Sequence, residues 1–138
     1  MSFQDGATMG IPGLTAAQGV FGAGPVKGQT LLISGGNGAV GHLAVQLAKW
    51  GGAKVIATGS KRSSESILNL GADYFFDYSS DNLFSQIKEV ATEGVDRDVE
   101  VEFGRNLNWL YEVLKPNGIL AVYGSAKDMN PIIPFGLY

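Results

Sequence analysis

The sequence predicts one α/β domain built on a parallel, doubly wound sheet. Three observations carry that expectation. Short apolar runs alternate with stretches of helical periodicity along the chain, the pattern that βαβ crossovers produce. Glycines, 20 of the 138 residues, fall mostly between those runs with no fixed period, which excludes collagen-like and repeat architectures. A complete G-x-G-x-x-G string stands between the first apolar run and the first amphipathic stretch.

The elements follow in order. Residues 1–25 are expected to hold a lead-in helix starting near Thr15. Thr30-Leu31-Leu32-Ile33 reads as a buried strand that ends at Ser34-Gly35-Gly36. Val40, Leu43, Ala44, Leu47 and Ala48 recur at helical spacing, so Val40 to Trp50 is an amphipathic helix closed by Gly51-Gly52. Lys54 to Thr58 is a second strand. Ser64 to Leu70 is a short helix stopped by Gly71, and Tyr74-Phe75-Phe76 a third strand. Leu83, Ile87 and Val90 share a helical face. Val99 to Phe103 is expected as the fourth strand, Leu107 to Leu114 as a helix halted by Pro116 and Gly118, and Ile119 to Tyr123 as the fifth strand. Residues 126–138 carry Pro131 and Pro134, so they form an edge strand or a tail. No internal linker appears, and residues 1–138 read as a single domain.

Composition narrows the function. Ten basic against thirteen acidic residues give a net charge of -3, which argues against binding nucleic acid or an anionic membrane through overall charge. No apolar run is long enough to span a bilayer, and the first residues lack the pattern of a signal peptide, so a cytoplasmic protein is expected. Without cysteine there is no disulfide, thiolate nucleophile or cysteine-ligated zinc, and one histidine cannot make a histidine metal cluster. That histidine, His42, follows the glycine loop and reads as a packing residue. No metal site, nucleophile triad or acid–base pair is visible, and no residue is assigned a catalytic role.

Gly36-Asn37-Gly38-Ala39-Val40-Gly41 carries the binding chemistry. A strand before it and a helix after it are the context the dinucleotide fingerprint of a Rossmann fold requires. On that reading Gly36 permits the tight turn, Gly38 lets the backbone approach a pyrophosphate, and Gly41 lets the helix pack closely. The helix N-terminus supplies N–H donors and partial positive charge for the diphosphate. An NAD site usually has an acid at the end of the second strand for the ribose. Here that stretch reads Thr58-Gly59-Ser60-Lys61-Arg62, a hydroxyl and two cations, which suits a 2'-phosphate. Charge-assisted hydrogen bonds contribute about 1.5–3 kcal/mol each, so NADP(H) is the expected cofactor.

Beyond these motifs the chain resembles a known family. Gly13-Leu14-Thr15-Ala16-Ala17, Val26-Lys27-Gly28-Gln29-Thr30, Gly41-His42-Leu43-Ala44-Val45-Gln46-Leu47-Ala48-Lys49, Leu70-Gly71-Ala72-Asp73 and Leu114-Lys115-Pro116-Asn117-Gly118 stand in one order. Together they resemble the zinc-independent quinone oxidoreductases, zeta-crystallin-like members of the medium-chain dehydrogenase/reductase superfamily. The resemblance covers roughly residues 2–125. It implies strand order 3-2-1-4-5-6 and hydride transfer from NADPH to a quinone, enone or related carbonyl. It places Thr15 near the nicotinamide, and Gly36, Asn37, Gly38, Ala39, Val40 and Gly41 at the diphosphate. Ser60, Lys61 and Tyr78, with Arg62 beside them, would surround the 2'-phosphate. Phe103-Gly104 and Gly124-Ser125, at the ends of strands four and five, would flank the ribose and nicotinamide. Family members form dimers through the sheet edge, where Pro131 to Phe135 falls, so a homodimer is expected. Their catalytic domain comes from segments outside this stretch, so the isolated chain is expected to turn over weakly or not at all.

Asp98-Val99-Glu100-Val101-Glu102-Phe103 departs from the pattern, because a central parallel strand should be apolar on both faces. Glu93, Asp96, Asp98, Glu100 and Glu102 make a negative cluster. Burying an unpaired carboxylate is costly, so a partner cation or an exposed strand is expected there. Among rival functions, Tyr123 and Lys127 have the spacing of short-chain dehydrogenases, but Tyr123 ends a strand and the two do not share a helix face. A methyltransferase would want an acid after the second strand. The remaining alternative is non-enzymatic, a truncated nucleotide-binding or association module.

Overall fold

A computed structural model describes residues 13–36, 38–100 and 103–123. Helix α1 occupies 13–21, followed by β1 (Thr30–Ile33), α2 (Ala39–Trp50) and β2 (Lys54–Gly59). A 3-10 turn (Lys61–Ser63) runs into α3 (Ser64–Asn69), then β3 (Tyr74–Asp77), α4 (Leu83–Val90), β4 (Val95–Glu100), α5 (Phe103–Val113) and β5 (Leu114–Val122). The strands lie in the order β3-β2-β1-β4-β5, and every pair is parallel. These are the first five positions of the order expected of a Rossmann fold. The sixth strand, expected in residues 126–138, lies outside the described residues, as do residues 1–12 of the lead-in segment.

Alternation along the strands divides the core. Leu31, Ile33, Val55, Ala57 and Val99 face Ala16 and Val20 of α1, Ala44, Val45 and Ala48 of α2, and Ile67 of α3. Leu32, Ile56 and Val95 face Leu83 and Ile87 of α4 and Leu110 and Val113 of α5. Helices on both faces explain why β1 and β2 read as unbroken apolar runs. Each fully buried Leu, Ile or Val contributes about 1.5–3 kcal/mol. Helix α2 ends as expected: the N–H of Gly51 returns to the Leu47 carbonyl, and Gly52 turns out of the helix at φ +90°.

The second half corrects the sequence reading. β4 begins at Val95 instead of Val99, α5 at Phe103 instead of Leu107, and β5 at Leu114 instead of Ile119. Phe103 and Gly104 therefore stand in the first turn of α5, not at the end of β4. Pro116 and Gly118 do not halt a helix. They sit in an irregularity of β5, where pairing passes from Val95–Leu114 directly to Arg97–Ile119 and Asn117 takes φ 64°. The cause is that charged residues enter a central strand with partners of their own. Arg97 is buried, and its guanidinium donates to the backbone carbonyls of Val20 and of Gly24, the latter at 3.2 Å, so it closes the C-terminal end of α1. Asp96 accepts the Thr30 N–H at 2.8 Å and the Lys115 ammonium at 3.1 Å.

Candidate cofactor site

The carboxyl ends of the parallel strands converge on the glycine loop, the usual place for a ligand in an open α/β sheet. The left-handed residue of the turn is Gly35, at φ +74°, and not Gly36. Gly36 serves close approach instead. A Cβ there would lie 3.3 Å from the Ala57 Cβ and 3.4 Å from the Ile67 Cδ1. At Gly41 a Cβ would fall 2.1 Å from the Gly35 carbonyl oxygen and 2.9 Å from the Gly36 Cα, so only glycine lets α2 meet its own loop. Gly38 differs from both. It is exposed, and the nearest protein atom to its missing Cβ is 3.5 Å away. The fold does not need glycine there.

Gly38 caps α2 with no side-chain hydrogen bond, and the first turn, which includes Ala39 and Val40, holds no acid. The positive end of this helix thus keeps its capacity for an anion. Asn37 lies outside the described residues. Thr58, the penultimate residue of β2, fastens the loop from beside it. Its carbonyl accepts the Gly36 N–H at 2.7 Å and its hydroxyl the Gly35 N–H at 3.3 Å. This role had one sequence signal, a hydroxyl residue at the end of an apolar run.

Beyond β2 the structure brings the expected phosphate residues to one edge. Lys61 and Arg62 are exposed on the 3-10 turn, and the Ser60 and Ser63 hydroxyls lie 2.8 Å apart. The Tyr78 N–H donates to the Gly59 carbonyl at 3.0 Å, which draws the residue after β3 alongside Ser60. Lys61, Ser64, Asp77, Ser79 and Asp81 border a cavity of about 600 Å3. Tyr78, Phe84, Asn106 and Trp109 border a second, of about 260 Å3. Thr15 stands apart from these on α1, where it lines a cavity of about 240 Å3 with Gln18, Gly19, Ala121, Val122 and Tyr123. Gly124 and Ser125 lie outside the described residues.

Under the loop lies a polar group that sequence reasoning did not assemble. The Asn106 amide donates to Glu100 Oε1 at 2.5 Å and to the Ser34 hydroxyl at 3.4 Å, and the Tyr123 hydroxyl donates to the Ser34 carbonyl at 3.4 Å. Asp98 and Glu100 are 0 % exposed, so β4 is covered, contrary to the expectation of an exposed strand. Burial first, then the neighbouring Glu100, pushes the Asp98 carboxyl well above the usual carboxylate range. Burial, followed by Glu100 and Asp98, also raises the Tyr123 phenol. Glu102 lies outside the described residues. His42, expected to pack, is exposed on α2, and its N–H returns to the Gly38 carbonyl at 2.8 Å.

Comparison with known proteins agrees with this geometry. A family profile described as zinc-binding dehydrogenase matches residues 39–138. An NADP-dependent oxidoreductase, RED1, of Cochliobolus heterostrophus is 36 % identical over 133 residues, covering 94 % of this chain and 38 % of that protein. The quinone oxidoreductase of Pongo abelii is 34 % identical over 136 residues, covering 95 % of this chain and 41 % of its own length. The crystal structure of AibC superposes with a TM-score of 0.90 at 28 % identity, covering 99 % of this chain and 39 % of that one. The chain thus spans about two fifths of the length of the curated relatives it matches. Despite the profile's name, the residues here do not fit a zinc centre: the sequence has no cysteine and one histidine, and among the described residues no group of three potential ligands gathers. With fold, glycine loop and relatives in agreement, the chain belongs to the medium-chain dehydrogenase/reductase superfamily, as a quinone-oxidoreductase-like Rossmann domain.

Proposed function

We propose that this chain is the NADP(H)-binding part of a zinc-independent oxidoreductase that reduces a quinone, enone or related carbonyl. The observation that carries the reading is the uncapped N-terminus of α2 behind Gly38, next to a β2 end with Ser60, Lys61 and Arg62 in place of an acid. The α2 N–H groups hold the diphosphate, and Gly38 leaves it room. Lys61, Arg62 and the Ser60 hydroxyl hold the 2'-phosphate with Tyr78 alongside. Thr15, which lines a cavity together with Tyr123, takes the nicotinamide end in this reading. When bound, the reduced nicotinamide supplies the hydride, and the residues of this chain orient it and neutralise its phosphates. Turnover needs a catalytic domain beyond this stretch, and the enzyme acts in the cytoplasm as a homodimer.

The test is a titration of the chain with NADPH and with NADH at low ionic strength, read by reduced-nicotinamide fluorescence. NADPH should bind more tightly. Lys61→Ala should weaken NADPH about tenfold, the loss of about 1.4 kcal/mol, and leave NADH nearly unchanged. Equal affinity for both cofactors in both proteins would remove the phosphate site from the reading.

A further inference from the structure

The acid that a nicotinamide site usually carries at the end of β2 is absent, but a carboxylate stands one strand further out. Gly59, the last residue of β2, is in register with Asp77, the last residue of β3. Adjacent strands are about 4.8 Å apart, so Asp77 lies close beside the position of the missing acid. Its carboxylate is fixed there. Oδ1 accepts the Ser79 N–H at 3.0 Å and the Ser79 hydroxyl at 2.8 Å, closing a tight turn after the strand. Those two donors, with the charge of Lys61 as a weaker influence, hold the Asp77 carboxyl below its ordinary range, so it is ionised at neutral pH. Asp77 and Lys61 border the same cavity of about 600 Å3.

We propose that Asp77 is a specificity-determining residue, a fixed negative charge beside Lys61 that limits discrimination in favour of NADP(H) over NAD(H). The inference rests on the NADP(H) reading above. A 2'-phosphate brings up to two negative charges to the edge where Asp77 holds one, whereas the free ribose hydroxyls of NAD(H) bring none. Asp77 therefore opposes the phosphorylated cofactor selectively, while Lys61, Arg62 and Ser60 favour it. The balance keeps NADP(H) preferred, by a margin smaller than the cations alone would set.

Asp77→Asn tests this, because asparagine removes the charge yet keeps a carbonyl oxygen for Ser79. NADPH and NADH affinities are measured by fluorescence for the native chain, Asp77→Asn, Lys61→Ala and the double variant. Glu93→Gln, a distant exposed acid, controls for net charge, and thermal unfolding checks that each variant folds. The NADPH-to-NADH affinity ratio should rise about threefold to tenfold in Asp77→Asn, less in Glu93→Gln, and the gain should shrink at high salt. It should persist in the Lys61→Ala background, because the repulsion acts on the phosphate itself. An unchanged or lower ratio in folded Asp77→Asn, with Lys61→Ala still selectively weakening NADPH, overturns the proposal and leaves the NADP(H) reading standing. A native chain with no preference that acquires one in Asp77→Asn overturns native NADP(H) selectivity and supports the role of Asp77. Failure of every folded variant to bind either cofactor overturns both.

Discussion

The two halves of the sheet are built by different physics. On the β1–β2–β3 side the strands are apolar, the connections turn at glycines, and stability comes from burial of Leu31, Ile33, Val55 and Ala57 against α2 and α3. On the β4–β5 side the innermost strand carries Asp96, Arg97, Asp98 and Glu100, and each needs a partner or a proton to enter the sheet. The first half is specified by local pattern. The second depends on residues remote in sequence: Val20 and Gly24 for Arg97, Thr30 for Asp96, and Ser34 for Asn106, which in turn holds Glu100. A parallel sheet therefore tolerates charge at its centre, provided that every charged group is met or neutralised.

The sharpest way to break the first half is Gly41→Ala. Its Cβ would meet backbone at 2.1 Å, and backbone cannot yield as a flexible side chain does. The expected loss is about 3 kcal/mol, read as a lower urea midpoint, with loss of NADPH binding.

The second half should respond oppositely to loss of a charge. Asp98 has a raised carboxyl pKa, so the folded chain keeps a proton that the unfolded chain releases above about pH 4. The stability this proton gives is complete below that pH and is lost as pH rises through the raised folded value. The slope reaches about 1.4 kcal/mol per pH unit for one proton. Asp98→Asn should remove that slope and unfold at higher urea than the native chain at alkaline pH. An identical pH profile in the two proteins would mean that Asp98 folds in as a carboxylate.

The smallest expected effect concerns the surface link between β5 and Asp96. Lys115→Ala removes a pair at 3.1 Å whose side chains are 33 % and 26 % exposed, and should cost about 0.5 kcal/mol, less in high salt. A much larger loss would show that the irregular start of β5 depends on that pair.

The same contrast explains what could be read from sequence. From β1 to α4 the expected and observed elements agree within about a residue at most boundaries, because apolar period and glycine punctuation are local signals. The glycine loop and the Ser60–Arg62 stretch were legible for that reason. The displacement begins at Val95. The fourth strand was expected only from Val99, because Asp96, Arg97 and Asp98 break the apolar pattern and their partners are not adjacent in sequence. Shifting β4 then moved α5 and β5 with it and carried Phe103 and Gly104 off the strand end. The role of Asn106 was hidden similarly, since it is defined by partners that only the folded sheet supplies.

Asp96 reaches β1 through a hydrogen bond across 66 residues, and that distance bears on how the sheet closes. The β1–β2–β3 side assembles from neighbouring crossovers, while β4 must return to the far edge of β1 and leave water with Arg97, Asp98 and Glu100 aboard. Insertion of that strand is therefore also an uptake of hydrogen ion from the solvent. The seam between β1 and β4 is thus the part of the sheet whose stability falls as the solution becomes less acidic.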